Sequence, residues 1–119
     1  MRFLVVSLSF VAAATLCTAG DFAASCYNYY LENTEFFATC RTESGSDQST
    51  SIDVNQCVTN DHGALQCVSA NGNYADTCEN CYLSGTNLDC VCGNGNGGTD
   101  SASVNLNNCI GNSNGVLVC

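Results

Sequence analysis

Cysteine is the residue type with the most evident chemistry in this chain, because 11 of its 119 residues are cysteine. Thiols form disulfides, bind metal ions or carry out redox exchange. Metal sites usually combine cysteine with histidine at close spacing, and the sequence has a single histidine, His62. Cys78-Glu79-Asn80-Cys81 is a C-x-x-C motif, but no βαβ pattern surrounds it, which argues against a thioredoxin-like role. The sequence therefore favours a disulfide framework.

Other residues could serve a metal ion or catalysis, and the sequence disfavours each of these uses. The Asn and Asp residues of segment 93–100 offer oxygen ligands for calcium, but their spacing matches no EF-hand loop. His62 lies in a predicted turn, and no G-x-S-x-G or H-E-x-x-H motif supplies a nucleophile or a metal site. A glycosidase carboxylate pair needs a cleft for which so small a disulfide-bonded chain has little room. We therefore expect no cofactor, no metal and no enzymatic activity.

The N-terminus has the pattern of a secretory signal peptide over residues 1–19. Arg2 precedes the apolar stretch Phe3–Leu16, and small residues stand at the −3 and −1 positions of Cys17-Thr18-Ala19. The apolar stretch is shorter than the ~20 residues of a membrane-spanning helix. Cleavage after Ala19 removes Cys17 and leaves an even ten cysteines, as expected of a secreted, extracellular protein.

The charge of the mature chain limits its partners. Arg41 is then its only basic side chain, against 11 Asp and Glu residues. Such a surface repels nucleic acid and anionic membranes, and we expect neither nucleic-acid binding nor membrane insertion. The remaining surface is rich in Asn, Ser, Thr and Gly, which suits a neutral polyhydroxyl ligand, although it also suits plain hydration.

An internal duplication organises the mature chain. A shift of 52 positions places Cys26 on Cys78 and Cys40 on Cys92 without a gap. The same shift places Cys57 on Cys109 and Cys67 on Cys119. The repeats are therefore predicted to span residues 20–67 and 72–119, with 68–71 as their linker.

This duplication reduces the number of plausible disulfide pairings, because each repeat should do the same thing. The simplest solution pairs cysteines within each repeat and leaves two unmatched cysteines to bond each other. The predicted bridges are Cys26–Cys40, Cys57–Cys67, Cys78–Cys92, Cys109–Cys119 and Cys81–Cys90.

Local patterns predict strands and hairpins. Ser51–Asn55 and Ser103–Asn107 alternate polar and apolar residues, which is typical of half-buried strands. Turns are predicted at 60–63 and 112–115, where Asn and Gly cluster, and also near 32–34 and 84–86. Because Cys78 and Cys81 are three apart while Cys90 and Cys92 are two apart, both bridges require a bulge near Asn80. No segment resembles a three-turn amphipathic helix, so the fold class is all-β.

The order and duplication of these motifs resemble the cyanovirin-N homology family of lectins. The resemblance rests on the cysteine pair that opens each repeat (22–40 and 74–92), on Ser51-Ile52-Asp53-Val54-Asn55 and its counterpart 103–108, and on the hairpins 60–65 and 110–117. It implies one disulfide-rich domain over residues 20–119, built from two pseudo-symmetric halves that exchange strands between the repeats. It also implies up to two sites for mannose-type oligosaccharides at opposite ends, without metal or catalysis.

The resemblance also implies which residues form the two sites. The first site maps to Asp21, Ser25, Arg41, Glu43, Asn112, Ser113 and Asn114. The second site maps to Thr59, Asn60, His62, Asn73, Asp76, Thr77 and Asn94. The second keeps the acid–threonine pair of the family as Asp76-Thr77, where the first has Ala24-Ser25, but it carries glycines at 93 and 95.

The sequence therefore predicts a secreted lectin whose partners are oligosaccharides or the glycans of glycoproteins. It would act as a monomer or a domain-swapped dimer, since the linker is short and the halves interlock. The alternative is a secreted interaction or effector-type protein that keeps the scaffold but has lost sugar binding. The glycines at 93 and 95 and the missing acid at Ala24 favour that alternative.

Overall fold

The computed structural model describes residues 20–119, so the predicted signal peptide lies outside the described residues. This part of the chain is built from ten short strands. They are β1 (Cys26–Glu32), β2 (Glu35–Arg41), β3 (Asp47–Asp53), β4 (Val58–Asp61), β5 (Ala64–Cys67), β6 (Cys78–Ser84), β7 (Asn87–Gly93), β8 (Thr99–Asn105), β9 (Gly111–Ser113) and β10 (Val116–Val118). Helical structure is limited to single turns: α1 (Val54–Cys57) and the 3-10 turns Phe22–Ala24, Tyr74–Asp76 and Leu106–Asn108. The predicted all-β class is confirmed.

The strands form two three-stranded sheets and two hairpins, all antiparallel. One sheet has the order β1-β2-β3 and the other β6-β7-β8, while β4-β5 and β9-β10 are separate hairpins. The described residues extend over 60 × 27 × 20 Å. Among them, no helix has the length and apolar character needed to cross a bilayer.

Each hairpin contacts the sheet of the other repeat, which confirms strand exchange. The Leu117 amide of β10 donates to Thr50 Oγ1 of β3 at 3.2 Å, and Gln48 Nε2 donates to the Gly115 carbonyl at 3.2 Å. At the other end, Asn60 of β4 donates to the Gly93 carbonyl of β7 at 3.0 Å. A half of the molecule therefore combines a sheet from one repeat with a hairpin from the other.

Two predicted strands end earlier than their apolar alternation suggests. β3 stops at Asp53, whose carboxylate accepts the Asn55 amide at 3.0 Å and so starts α1. β8 stops at Asn105, whose side chain accepts the Asn107 amide at 3.0 Å. The residues predicted to finish these strands instead form a helical turn, because a capping side chain satisfies the amide that the strand would leave free.

The hairpin turns are tight two-residue turns. His62 and Gly63 have φ of 53° and 97°, and Asn114 and Gly115 have φ of 52° and 91°. Two consecutive positive φ values fit the right-handed twist of flanking strands and favour Asn and Gly. The predicted turns at 60–63 and 112–115 are confirmed.

The predicted bulge near Asn80 is present and has a counterpart in the first repeat. The pairing of β6 with β7 shifts between Glu79 and Tyr82, and Asn80 has φ 56°. The same shift occurs in β1, where Asn28 has φ 55°. Since the first repeat lacks the extra cysteine pair, that bridge does not cause the bulge.

The disulfide prediction is correct for three bridges and wrong for two. Cys26–Cys40, Cys78–Cys92 and Cys81–Cys90 form as expected. Instead of Cys57–Cys67 and Cys109–Cys119, the structure has Cys57–Cys119 and Cys67–Cys109.

The reason lies in hairpin register. Because the turn is centred between His62 and Gly63, Cys67 lies opposite Val58, and Cys57 is bonded through its carbonyl to the Val68 amide. Cys57 precedes Val58 and belongs to the helical turn α1, so it does not lie opposite Cys67 in the hairpin. The observed pairs obey the same repeat symmetry, but they join one repeat to the other.

The core differs between the halves at equivalent positions. In the first half Phe22 packs edge-to-face against Tyr29 and Phe36, with ring centroids 5.1 and 5.2 Å away. In the second half, the disulfide-bonded Cys81 and Cys90 occupy the positions that are equivalent to Tyr29 and Ala38. Tyr74 replaces Phe22, and its hydroxyl is buried without a hydrogen-bond partner.

Candidate functional site

The first end site lies where the β9-β10 hairpin meets the β1-β2-β3 sheet. Asn112 Nδ2 donates to Ser25 Oγ at 2.8 Å and to the Arg41 carbonyl at 2.9 Å. Its Oδ1 accepts the Gly115 amide at 2.7 Å. Next to it, Asn114 Oδ1 accepts the Glu43 amide at 2.9 Å. These bonds bring together five of the seven predicted residues of this site.

The second end site repeats this arrangement at the opposite end. Asn60 Nδ2 donates to Thr77 Oγ1 at 2.9 Å and to the Gly93 carbonyl at 3.0 Å. Its Oδ1 accepts the Gly63 amide at 2.8 Å. Every partner is the repeat equivalent of one at the first end site, so Asn60 and Asn112 have the same structural role.

These bonds change what the two asparagines can do. An amide group has two donor hydrogens, and both are used within the protein at each end. Asn60 and Asn112 therefore hold the hairpin against the sheet, and only a remaining lone pair on each Oδ1 is left for a ligand. A ligand would therefore mainly contact the exposed side chains around Asn60 and Asn112.

At the first end site those side chains include a group of hydroxyls that the sequence argument missed. Thr42, Ser44 and Ser46 are joined to one another by hydroxyl contacts of 3.0 to 3.3 Å. Together with Glu43, Gln48 and Asn114 they line a polar depression of about 440 Å³. The signal was present in the sequence as hydroxyls alternating around Gly45, at Thr42, Ser44 and Ser46.

Arg41 lies on the outer face of the same sheet and is exposed. Its Nε is 3.8 Å from Asp47 Oδ1, and the Tyr27 hydroxyl donates to Asp47 Oδ2 at 2.8 Å. The hydrogen bond to Asp47, with smaller effects of burial and of the Asp47 charge, raises the pKa of Tyr27. Arg41, the only Arg or Lys residue in the part of the chain that the structure describes, thus lies beside a carboxylate.

At the second end site the exposed edge is formed by the turn of the β4-β5 hairpin and the loop after β7. His62 Nδ1 is 2.8 Å from Asp61 Oδ1. Asn94 Oδ1 accepts the amides of Asn96 and Gly98 at 2.9 and 3.2 Å, which folds the glycine-rich loop back on itself. A Cβ at Gly95 would lie 3.0 Å from His62 Cδ2, so this loop packs close to the imidazole.

The remaining predicted residues lie at the rims. Asp21 and Asn73 are exposed, have φ of 64° and 58°, and precede equivalent 3-10 turns. Thr59 pairs with Asn73 through an isolated β-bridge. Asp76 and Ser113 are exposed. Hydrogen bonds therefore join Asn112 to Ser25 and Arg41, and Asn60 to Thr77, while the contact of any predicted residue with a ligand stays a prediction.

The chemistry of both ends is that of hydrogen bonding. Over residues 20–119, no group of three or more His, Cys, Asp or Glu side chains is arranged to hold a metal ion. The groups that face solvent are hydroxyls, amides, carboxylates, one imidazole and the Arg41 guanidinium, all of which can form hydrogen bonds with hydroxyl groups of a ligand.

Comparison with known families agrees with this architecture. The model of the CVNH domain matches residues 22–118. The chain belongs to the CVNH family. This confirms the resemblance seen in the sequence.

Solved structures of CVNH proteins share the fold. A designed cyanovirin-N homolog lectin is 27% identical, has a TM-score of 0.73 and covers 82% of this chain and 97% of its own. A variant of MoCVNH3 in complex with (N-GlcNAc)4 is 22% identical, has a TM-score of 0.77 and covers 86% of this chain and 99% of its own. Microvirin in complex with mannobiose is 24% identical and has a TM-score of 0.65; the match covers 80% of this chain and 94% of the microvirin chain.

Proposed function

We propose that this protein is a secreted, non-catalytic lectin that binds neutral oligosaccharides of the mannose type at its two ends. The observation that carries the proposal is the repeated arrangement of Asn60 and Asn112, each of which holds a hairpin against a sheet and surrounds itself with exposed hydroxyl and amide groups. A rigid frame of this kind keeps ligand-binding groups at fixed spacing, which lowers the entropy lost on binding.

The relatives support a saccharide as the ligand class. The designed cyanovirin-N homolog is a lectin, the MoCVNH3 variant binds (N-GlcNAc)4 and microvirin binds mannobiose. Sugar hydroxyls are both donors and acceptors, so they match the mixed donors and acceptors at each end. Two sites on one body would also raise avidity for a branched glycan without new contacts.

The test is a titration of the oxidised, isotope-labelled protein with mannobiose and with (GlcNAc)4, followed by amide chemical shifts. We expect saturable shifts near Thr77 and Ser25, with mannobiose as the stronger ligand. Asp76→Ala should weaken binding at the second end only. Glu32→Gln, which removes an exposed charge of β1 outside both predicted sites, is the matched control. If neither saccharide causes saturable shifts at the first or the second end, the proposal is refuted.

The alternative is an interaction or effector-type protein that no longer binds sugar. The glycines at 93 and 95 and the missing acid at Ala24 favour it, because these positions have no side chain that could hydrogen-bond a sugar. It predicts the same folded spectrum with no response to any saccharide. Retention on mannose-agarose that free mannobiose competes away would exclude it.

A further inference from the structure

The outer faces of the two sheets have diverged at one pair of equivalent positions. On the first sheet Tyr30 stacks on Phe37, with ring centroids 4.9 Å apart and planes inclined by 12°. The equivalent residues on the second sheet are Tyr82 and Asp89, which are direct partners in the pairing of β6 with β7. The aromatic ring that lies on Tyr30 thus has no counterpart on Tyr82, and the Tyr82 side chain is 60% exposed.

A depression of about 420 Å³ lies at this place on the second sheet. Tyr82 and polar residues from three strands line it, namely Asn80, Asp89, Ser101 and Ser103, together with Cys90, Val91 and Ala102. Asp89 pairs with Ser103 across β7 and β8, and Val91 pairs with Ser101. Side chains two apart on a strand share a face, so Asp89 and Val91 of β7 and Ser101 and Ser103 of β8 point to the same side of the sheet.

We propose that this sheet face is a third saccharide subsite, separate from both ends, in which a pyranose ring lies on Tyr82. A pyranose has a flat face of C–H groups and a rim of hydroxyls, and its ring is about as large as the phenyl group that stacks on Tyr30 in the other half. The Asp89 carboxylate accepts hydrogen bonds from vicinal hydroxyls, while the two serines and the Asn80 amide both donate and accept.

The composition of the wall favours a neutral sugar over an organic cation. A cation would use the Tyr82 ring and the Asp89 carboxylate, but it would make no use of the donor groups of Ser101, Ser103 and Asn80, which would stay hydrated. A sugar uses all of them. This inference does not rest on the two end sites, because none of these residues belongs to either of them.

The matched variants come from the internal symmetry. Asp89→Phe recreates the stacked pair of the first sheet and should fill the depression without unfolding the chain. Tyr82→Ala removes the stacking surface at an exposed position, and Tyr82→Phe keeps it. Phe37→Asp should open the equivalent face on the first sheet.

The experiment is an amide chemical-shift titration of the oxidised protein with mannobiose and with (GlcNAc)4 at millimolar concentration. We expect saturable shifts at Val91, Ser101 and Ser103 with at least one of these saccharides. Asp89→Phe and Tyr82→Ala should each weaken this response about tenfold or more, whereas Tyr82→Phe should keep it. The response of the two ends should be unchanged in all three.

Several results would overturn the inference. One is a wild-type protein that shows no saturable shift on this face. Another is an Asp89→Phe variant, folded by its spectrum, that keeps the shift. A third is a face that responds to ethylammonium but to neither saccharide. Loss of the end responses alone would refute the proposed function and leave this subsite standing, so the two failures are distinguishable.

Discussion

Substitution of Tyr74 by Phe should stabilise the protein, although it removes a polar group. The Tyr74 side chain is 1% exposed, and its hydroxyl is buried without a hydrogen-bond partner. An unsatisfied buried hydroxyl costs about 1–3 kcal/mol relative to its hydrated state. Phe fits the same shape, as Phe22 does at the equivalent position of the first half. Allowing for the small void left behind, we expect a gain of about 1–2 kcal/mol at pH 7.

The same hydroxyl makes stability depend on alkaline pH. Burial, and to a lesser extent the charge of Asp53, raises the pKa of Tyr74 from 10.0 to about 12. Below pH 10 the folded and unfolded chains both hold this proton. Between pH 10 and 12 the unfolded chain releases it while the folded chain retains it, so stability falls as pH rises. At pH 11 the advantage of Tyr74→Phe should therefore be about 1 kcal/mol larger than at pH 9.

The assay is equilibrium unfolding by guanidinium, followed by far-ultraviolet circular dichroism, for wild type and Tyr74→Phe at pH 7, 9 and 11. The reverse variant, Phe22→Tyr, is the control, because it creates an unpartnered hydroxyl in the first half and should be destabilising. A Tyr74→Phe protein that is less stable than wild type at pH 7 would show that the hydroxyl has a favourable partner. A difference that does not grow above pH 9 would contradict the assigned pKa.

Other perturbations test the frame of the molecule. Asn60→Ala and Asn112→Ala should each lower stability by about 2 kcal/mol, since three hydrogen bonds are lost, two of them part-buried, and chemical unfolding measures this. Paired replacement of Cys81 and Cys90 by Ala should cost about 2–3 kcal/mol for its short loop, and a loss of over 5 kcal/mol would contradict the loop argument. The oxidised protein should stay monomeric by light scattering, because the Cys57–Cys119 bridge ties the repeats within one chain; a swapped dimer held by disulfides would contradict this.

The sequence was sufficient for the duplication, the all-β class and the bulge at Asn80, because each follows from local spacing. It was not sufficient for the bridges of Cys57 and Cys67. Repeat symmetry permits pairing within a repeat or between repeats, and a one-residue difference in hairpin register decides between them. Equal distance from His62 suggested a facing pair, whereas the turn is centred half a residue later.

The candidate sites were predictable in outline for a similar reason. The 52-residue shift makes Asn60 equivalent to Asn112 and Thr77 equivalent to Ser25, and the structure has the same hydrogen bond in both pairs. The shift does not show that backbone carbonyls 33 and 71 residues away take the second amide hydrogen of each asparagine. That information depends on strand exchange, which brings distant parts of the chain together.

The difference between Phe37 and Asp89 on the two outer faces follows from how each half holds its first two strands together. On the first sheet, stacking of Tyr30 on Phe37 helps to hold β1 against β2, and a cross-strand aromatic pair contributes about 0.2–1 kcal/mol. On the second sheet, the Cys81–Cys90 bridge on the inner side ties β6 to β7 with about 2–3 kcal/mol. An aromatic contact at position 89 is then not needed to hold β6 against β7, so this position can carry a carboxylate. Phe37→Asp should therefore be more destabilising in the first half than Asp89→Phe is in the second. The difference should widen once Cys81 and Cys90 are replaced by Ala, because the new aromatic pair would then carry more of the contact between β6 and β7.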